Sequence, residues 1–293
     1  MSKNEGDGIV EEQNICDALR TLQVRYGRRI AVLLDRRSGI RFNHDLMTVN
    51  DEASLGQLVE SRVKDGAPSV RLSICMATFN RASFIGMTLD SILDQMQPGV
   101  ELIVVDGCSP DGTPEVMADY AGRNPAIRYY RETVNSGVDG DYEKAVAYAR
   151  GDYCWLMTDD DLLKPGAIRV VLNAIEHHPD LVVLNSEVCN ADFSALLTPR
   201  FIQLKQDKSY RSDAVDVLFT ETAGALSFIG CVVIRRETWM TRMREAYLGT
   251  LFIHMGVIFQ TPALDQVRVV AEPQISIRYG NAMWTSRGFE IWM

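Results

Sequence analysis

The chain has 293 residues, 46% of them hydrophobic and 24% charged. That is the balance of an ordinary globular protein and excludes a disordered or fibrous one. A formal net charge of −9 removes the general attraction for phosphate backbones, so nucleic acid is not expected as a partner.

The N-terminal MSKNEGDGIVEEQN is acidic and has no apolar core, so it does not read as a secretory signal. The stretch Ala225–Ile234 is the longest apolar one, about half of a bilayer span. Cys16, Cys75, Cys108, Cys154, Cys189 and Cys231 make no C-x-x-C pair, and the histidines are not interleaved with them. Reduced, mostly buried thiols in a cytoplasmic protein are the expectation.

Residues 1–68 read as a small α+β appendage. Ile15, Leu19 and Leu22 fall at helical spacing within Ile15–Val24. Ile30–Leu34 and Ile40–Phe42 read as a hairpin, Leu55–Val63 as a second helix, and residues 64–69 as a linker.

From Val70 the pattern becomes strand–helix alternation. Strands are expected at Leu72–Ala77, Glu101–Val105, Ile127–Tyr130, Tyr153–Met157 and Leu181–Leu184. Helices are expected at Ser83–Met96, Pro114–Gly122, Tyr142–Ala149 and Pro165–His177. The fold class this implies is α/β, a mostly parallel sheet with helices on both faces. Ligands of such sheets bind at the carboxyl ends of the strands. Ala77, Thr78, Phe79, Asn80, Arg81, Asp106 and the run Asp159-Asp160-Asp161 therefore share one rim.

Three adjacent carboxylates at a strand end disfavour one another's ionisation, and a divalent cation relieves this. Carboxylate oxygens suit Mg²⁺ or Mn²⁺, ions that complete their shells with phosphate oxygens and water. The plain alternative is a solvated acidic turn in which Asp161 caps the following helix. Phe79 could stack on a base or fill the core. Asp106 could accept a base N–H or a ribose hydroxyl, or close an Asx-turn. The first turn lacks G-x-G-x-x-G, which disfavours a dinucleotide fold.

Four stretches in this order carry a resemblance: Ser73–Arg81, Glu101–Thr113, Asn135–Gly137, and Gly151–Asp161 followed by Pro165. Together they resemble family 2 of the inverting glycosyltransferases, which have the GT-A fold. The likeness covers residues 70–293, a donor half at about 70–185 and an acceptor half at about 186–293. Phe228–Ile234, Leu251–Phe259 and Ile277–Arg287 are similar to the bacterial abequosyltransferase-like group.

The resemblance implies a nucleotide-sugar donor, Mn²⁺ or Mg²⁺, and a saccharide acceptor, lipid-linked in O-antigen-like lipopolysaccharide synthesis. Residues Ala77–Arg81 would line the donor site, with Phe79 and Asp106 at the nucleobase. Asp159 would lie near the ribose, and Asp160, joined by Asp161, at the metal. The family's Glu-Asp in the acceptor half is replaced by Phe252-Ile-His254, which makes His254 the expected catalytic base, with Glu245 and Asp265 as acidic substitutes. The bland reading of His254 is a buried histidine bonded to backbone.

Trp284, Arg287, Phe289 and Trp292 suggest either peripheral contact with the inner face of the membrane or a packed amphipathic helix. The appendage is expected to serve interaction or homo-oligomerisation. A nucleotidyltransferase and a non-catalytic nucleotide-sugar-binding protein are the rival readings.

Overall fold

In a computed structural model of the chain, residues 57–59 and 69–281 are described. The expected helix Ile15–Val24, the hairpin at Ile30–Phe42 and the aromatic segment after Asn281 lie outside the described residues.

The core of the sheet is parallel. Strands β2 (Leu72–Thr78), β3 (Val100–Asp106) and β5 (Tyr153–Met157) are buried along their whole length. Their continuous apolar runs are those of strands covered on both faces. β4 (Ile127–Arg131) pairs parallel to β3, and β2 lies parallel to both β3 and β5. Helix α1 (Ile85–Leu93) buries Ile85, Leu89 and Ile92, one helical stripe. Helices α2 (Thr113–Arg123) and α3 (Val138–Tyr148) follow β3 and β4. A two-residue strand β6 (Leu162–Leu163) precedes α4 (Ala167–Ile175), whose buried face is formed by Ala167, Ile168, Val171, Leu172, Ala174 and Ile175.

The second half completes the sheet. β7 (Leu181–Cys189) leads to the short strands β8 (Leu196–Thr198) and β9 (Lys208–Tyr210), helix α5 (Val215–Leu226), β10 (Val232–Arg235), helices α6 (Arg236–Thr241) and α7 (Ile253–Phe259), and the long β11 (Val267–Arg278). β10 inserts antiparallel between β5 and β7, with Val232 opposite both Leu156 and Val183. β11 runs parallel to β7 and turns its far end against β6, with Ser276 opposite Leu162. That last pairing brings the end of β11 to the acidic turn.

Sequence spacing misassigned one segment. Gln57–Val59, expected inside a helix, forms strand β1, antiparallel to β4 with Leu58 opposite Tyr130. β4 would otherwise present an open edge, and its unpaired backbone groups recruit the segment. The five described cysteines are all unpaired, and all but Cys108 are buried. Among the described residues no helix is long and apolar enough to cross a membrane.

Candidate donor site at the acidic turn

The register brings the expected rim together. Thr78 lies opposite Asp106 across β2 and β3, and Met76 opposite Met157 across β2 and β5, two residues before Asp159. Ala77 and Thr78 are buried, Phe79 is half-buried, and Asn80 is exposed in the left-handed region at φ 58°. The loop after β2 is clipped to the loop after β3. Asn80 N donates to Ser109 Oγ at 2.9 Å, Arg81 N to Thr113 Oγ1 at 2.9 Å and Ala82 N to Asp111 Oδ2 at 3.0 Å. Asp111 also takes Thr113 N at 3.1 Å, so one carboxylate closes the turn before α2 and holds the neighbouring loop. The signal for it is Asp-Gly-Thr-Pro, a turn-forming Asp ahead of a first-turn proline.

The acidic turn divides its labour. Arg81 reaches Asp159 Oδ1 through Nε at 3.3 Å and Asp160 Oδ2 through Nη2 at 3.5 Å. Asn281 Nδ2 donates to the same Asp160 Oδ2 at 2.9 Å. Asp161 is turned inward: Oδ1 accepts Arg278 N at 2.8 Å, and Oδ2 accepts the Thr158 hydroxyl at 2.6 Å. Burial and the neighbouring Asp160 charge push Asp159 and Asp161 up to about 7. Burial also raises Asp160, against the pull of Arg81. The turn is therefore short of positive charge.

Arg278 fixes this region. Its Nε donates to Asp160 O at 2.9 Å, Nη1 bonds Ala191 O, and its guanidinium lies 5.1 Å from the Phe84 ring and 4.4 Å from the Phe193 ring. Arg278 and Asn281 follow the acidic turn by more than a hundred residues. The pairings of β11 with β6 and with β7, which set Ser276 opposite Leu162 and Arg278 opposite Cys189, deliver them, so local sequence gave no sign of their contacts.

The donor set admits a divalent ion through Asp160. Among the described residues, the side-chain donors Asn281 and Arg81 both approach Oδ2 rather than Oδ1. Magnesium needs only one or two protein carboxylates when phosphate oxygens supply the rest. Asp161 fits less well than expected, because both of its oxygens already serve the turn and β11. Among the described residues no group of three or more His, Cys, Asp or Glu could hold a metal by itself.

Two other expected residues, Asp106 and His254, are buried. Asp106 is fully buried, with Oδ1 accepting Ser109 N at 2.8 Å and Oδ2 accepting the Tyr129 hydroxyl at 2.6 Å. This is the Asx-turn alternative, and a base would have to displace one of those donors. His254 is 1% exposed; its Nε2 lies 2.7 Å from Leu226 O, and its buried Nδ1 has no partner. Burial lowers the imidazole to about 4. In this structure His254 packs in the core with its ring against Leu226 O, the position of its bland reading. Asp265 sits beside Asp180 before β7 and β11, with its N donating to Asp180 Oδ2 at 3.1 Å. It is thus roughly 40 Å of extended strand away from Arg278. Glu245 stays exposed on a short 3₁₀ turn.

Asp139 and Asp141, at the start of α3, are further buried carboxylates. Asp139 accepts Leu251 N at 2.8 Å and Ile253 N at 3.2 Å, pinning the start of α7 to α3. Asp141 accepts the Ser136 hydroxyl at 2.8 Å, and burial raises it to about 6. It packs so closely on Gly107 that a Cβ there would lie 2.5 Å from its Oδ2.

A mostly parallel sheet whose carboxyl rim carries a buried acidic turn, with β10 inserted antiparallel, is the architecture of the GT-A fold. The model of the glycosyl transferase family 2 matches residues 73–236, and the chain belongs to that family. It is 24% identical over 236 residues to the abequosyltransferase RfbV of Salmonella typhimurium, covering 74% of this chain and 69% of that protein. It is 24% identical over 137 residues to the putative glycosyltransferase EpsH of Bacillus subtilis, spanning 47% of this chain but only 40% of EpsH. Among solved structures, S. aureus TarS 1–349 in complex with UDP-GlcNAc superposes with a TM-score of 0.58 at 16% identity, over 74% of this chain and 61% of that one. The chain thus spans less than two thirds of the TarS fragment, and that likeness speaks for the fold alone.

Proposed function

We propose that the protein transfers a sugar from a nucleotide-sugar donor to a hydroxyl acceptor, with inversion and with a divalent ion at Asp160. The observation that carries this reading is the buried, cation-deficient turn Asp159–Asp161 at the carboxyl rim of the sheet, within a family 2 domain. The solved complex of TarS with UDP-GlcNAc and the likeness to an abequosyltransferase support a nucleotide sugar as donor. A saccharide of a bacterial surface polysaccharide, lipid-linked as in O-antigen-like lipopolysaccharide, is the acceptor class we favour.

In this reading the donor lies along the rim. Its nucleoside end rests by Phe79 and the loop after β3, and its diphosphate by Arg81 and Asp160. Asp159 orients Arg81, and Asp161 anchors the turn to β11 through Arg278 N. A bound Mn²⁺ or Mg²⁺ supplies Lewis-acid stabilisation of the leaving phosphate. Transfer moves the acceptor oxygen onto the anomeric carbon as the bond to phosphate breaks. The hydroxyl proton passes to a base other than His254, which is sealed in the core.

A panel of nucleotide sugars incubated with the protein and Mn²⁺ tests this. Release of free nucleoside diphosphate from at least one donor, increased by a saccharide acceptor, is expected. Release of pyrophosphate instead would point to a nucleotidyltransferase. Binding without turnover, with or without acceptors, would leave a non-catalytic binding protein.

A further inference from the structure

Resting on this donor-site reading, we propose that Arg81 is a built-in counter-cation that competes with the divalent ion for Asp159 and Asp160 and yields when a diphosphate arrives. Three observations carry it.

First, Arg81 spans both carboxylates and sits among them: its side chain is 12% exposed, that of Asp159 12% and that of Asp160 14%. The positive charge a metal would bring to this turn is already partly supplied. An incoming cation must share Asp160 with a guanidinium or displace it.

Second, Arg81 is held loosely and Arg278 firmly. The contacts of Arg81 to the two carboxylates, 3.3 and 3.5 Å, are longer than the 2.7–2.9 Å of a tight charge-assisted pair. Among the described residues its one cation–ring contact is Phe84 at 5.8 Å. Arg278 is fixed by Asp160 O, Ala191 O, Met87 Sδ and two aromatic rings. Of the two guanidiniums at the turn, Arg81 is the one free to swing. Its backbone remains anchored by the bond from its N to Thr113 Oγ1.

Third, charge favours this order. The turn stays short of positive charge with Arg81 in place, but a lone divalent ion must take Asp160 from the guanidinium that already holds it. A diphosphate adds roughly two more negative charges and attracts Arg81 to its own oxygens. Asp160 is then released to the metal. Metal and donor bind as a cooperative pair, each weak without the other.

The test is Mn²⁺ binding by the full chain without nucleotide, read from loss of the free hexaaqua Mn²⁺ signal in electron paramagnetic resonance. Arg81→Gln, which removes the charge and keeps a hydrogen-bonding side chain, is expected to bind Mn²⁺ at least tenfold tighter than the parent protein. Arg81→Lys, which restores the charge, is expected to return affinity to the parent value. Asp160→Asn added to Arg81→Gln is expected to abolish the gain. Arg81→Ala serves where Arg81→Gln does not fold. Unchanged or weaker Mn²⁺ binding in the charge-removed variant overturns the proposal, as does equal tightening by Arg81→Lys. Nucleotide-sugar turnover is measured separately, so a positive donor panel with unchanged Mn²⁺ affinity defeats only this inference.

Discussion

Replacing His254 by glutamine separates a core histidine from a catalytic one. Glutamine keeps a donor near Nε2 for Leu226 O and removes the titrating ring. The imidazole sits at about 4, below its ordinary 6.5, because burial disfavours its charged form. Above pH 6.5 the folded and unfolded chains both carry it neutral. As pH falls below 6.5 the unfolded chain takes up a proton that the folded chain refuses until about 4, so stability is lost across that window. With one pKa unit worth about 1.4 kcal/mol, the histidine removes about 2 kcal/mol between pH 7 and pH 5. Asp159 and Asp161, raised to about 7, and Asp141, raised to about 6, act in the opposite sense, since the folded state binds their protons first. The parent protein alone therefore shows a mixture. The difference between parent and His254→Gln in urea unfolding at pH 7 and pH 5 isolates the imidazole. The variant should lose about 2 kcal/mol less than the parent on acidification, and should retain turnover at pH 7. Parallel losses in the two proteins, or abolished transfer with intact donor binding, would refute the buried-neutral assignment.

Three further substitutions probe the frame around the site. Asp139→Ala strips the acceptor from Leu251 N and Ile253 N. It should cost about 1–3 kcal/mol and raise amide exchange at residues 249–254 before it affects the rest of the chain. Gly151→Ala would set a Cβ 2.7 Å from Ser73 N and 2.9 Å from Leu72 C. Backbone cannot yield there as a side chain can, so a loss of about 1–3 kcal/mol, seen as a lower melting temperature, is expected. Gly107→Ala would drive Asp141 off the loop after β3 and should weaken donor binding more than stability. Equal loss of both would place Asp141 in the frame alone.

Local chemistry carried part of this architecture and long-range contact the rest. β2, β3 and β5 were legible because each is a short apolar run ending in turn residues, and Tyr153–Met157 is observed with the bounds the pattern suggests. Helix α3 begins four residues earlier than its pattern implied. Asn-Ser-Gly-Val-Asp-Gly-Asp has weak helical propensity, and its first turn is held by the local Ser136–Asp141 bond and by the distant Leu251 N–H that Asp139 accepts. The strand at Gln57–Val59 was hidden for the same kind of reason, since its state depends on the edge of β4. The antiparallel entry of β10 is a choice among distant partners that no local pattern records. In the site, residue type and strand position indicated the acidic turn and the loop after β2. Burial separated the rest, closing Asp106 within an Asx-turn and sealing His254 under Leu226, while β11 delivered Arg278 and Asn281.

In the proposed function the rim at Asp160 binds a nucleoside diphosphate through a divalent ion. Calorimetric titration of UDP, CDP and GDP into the parent protein and Asp160→Ala, each with Mn²⁺ and with chelator, tests it most directly. At least one nucleotide should bind the parent in a Mn²⁺-dependent manner, and Asp160→Ala should lose that dependence with tenfold or greater weakening. Equal affinity in parent and variant, or binding indifferent to Mn²⁺, would contradict the account.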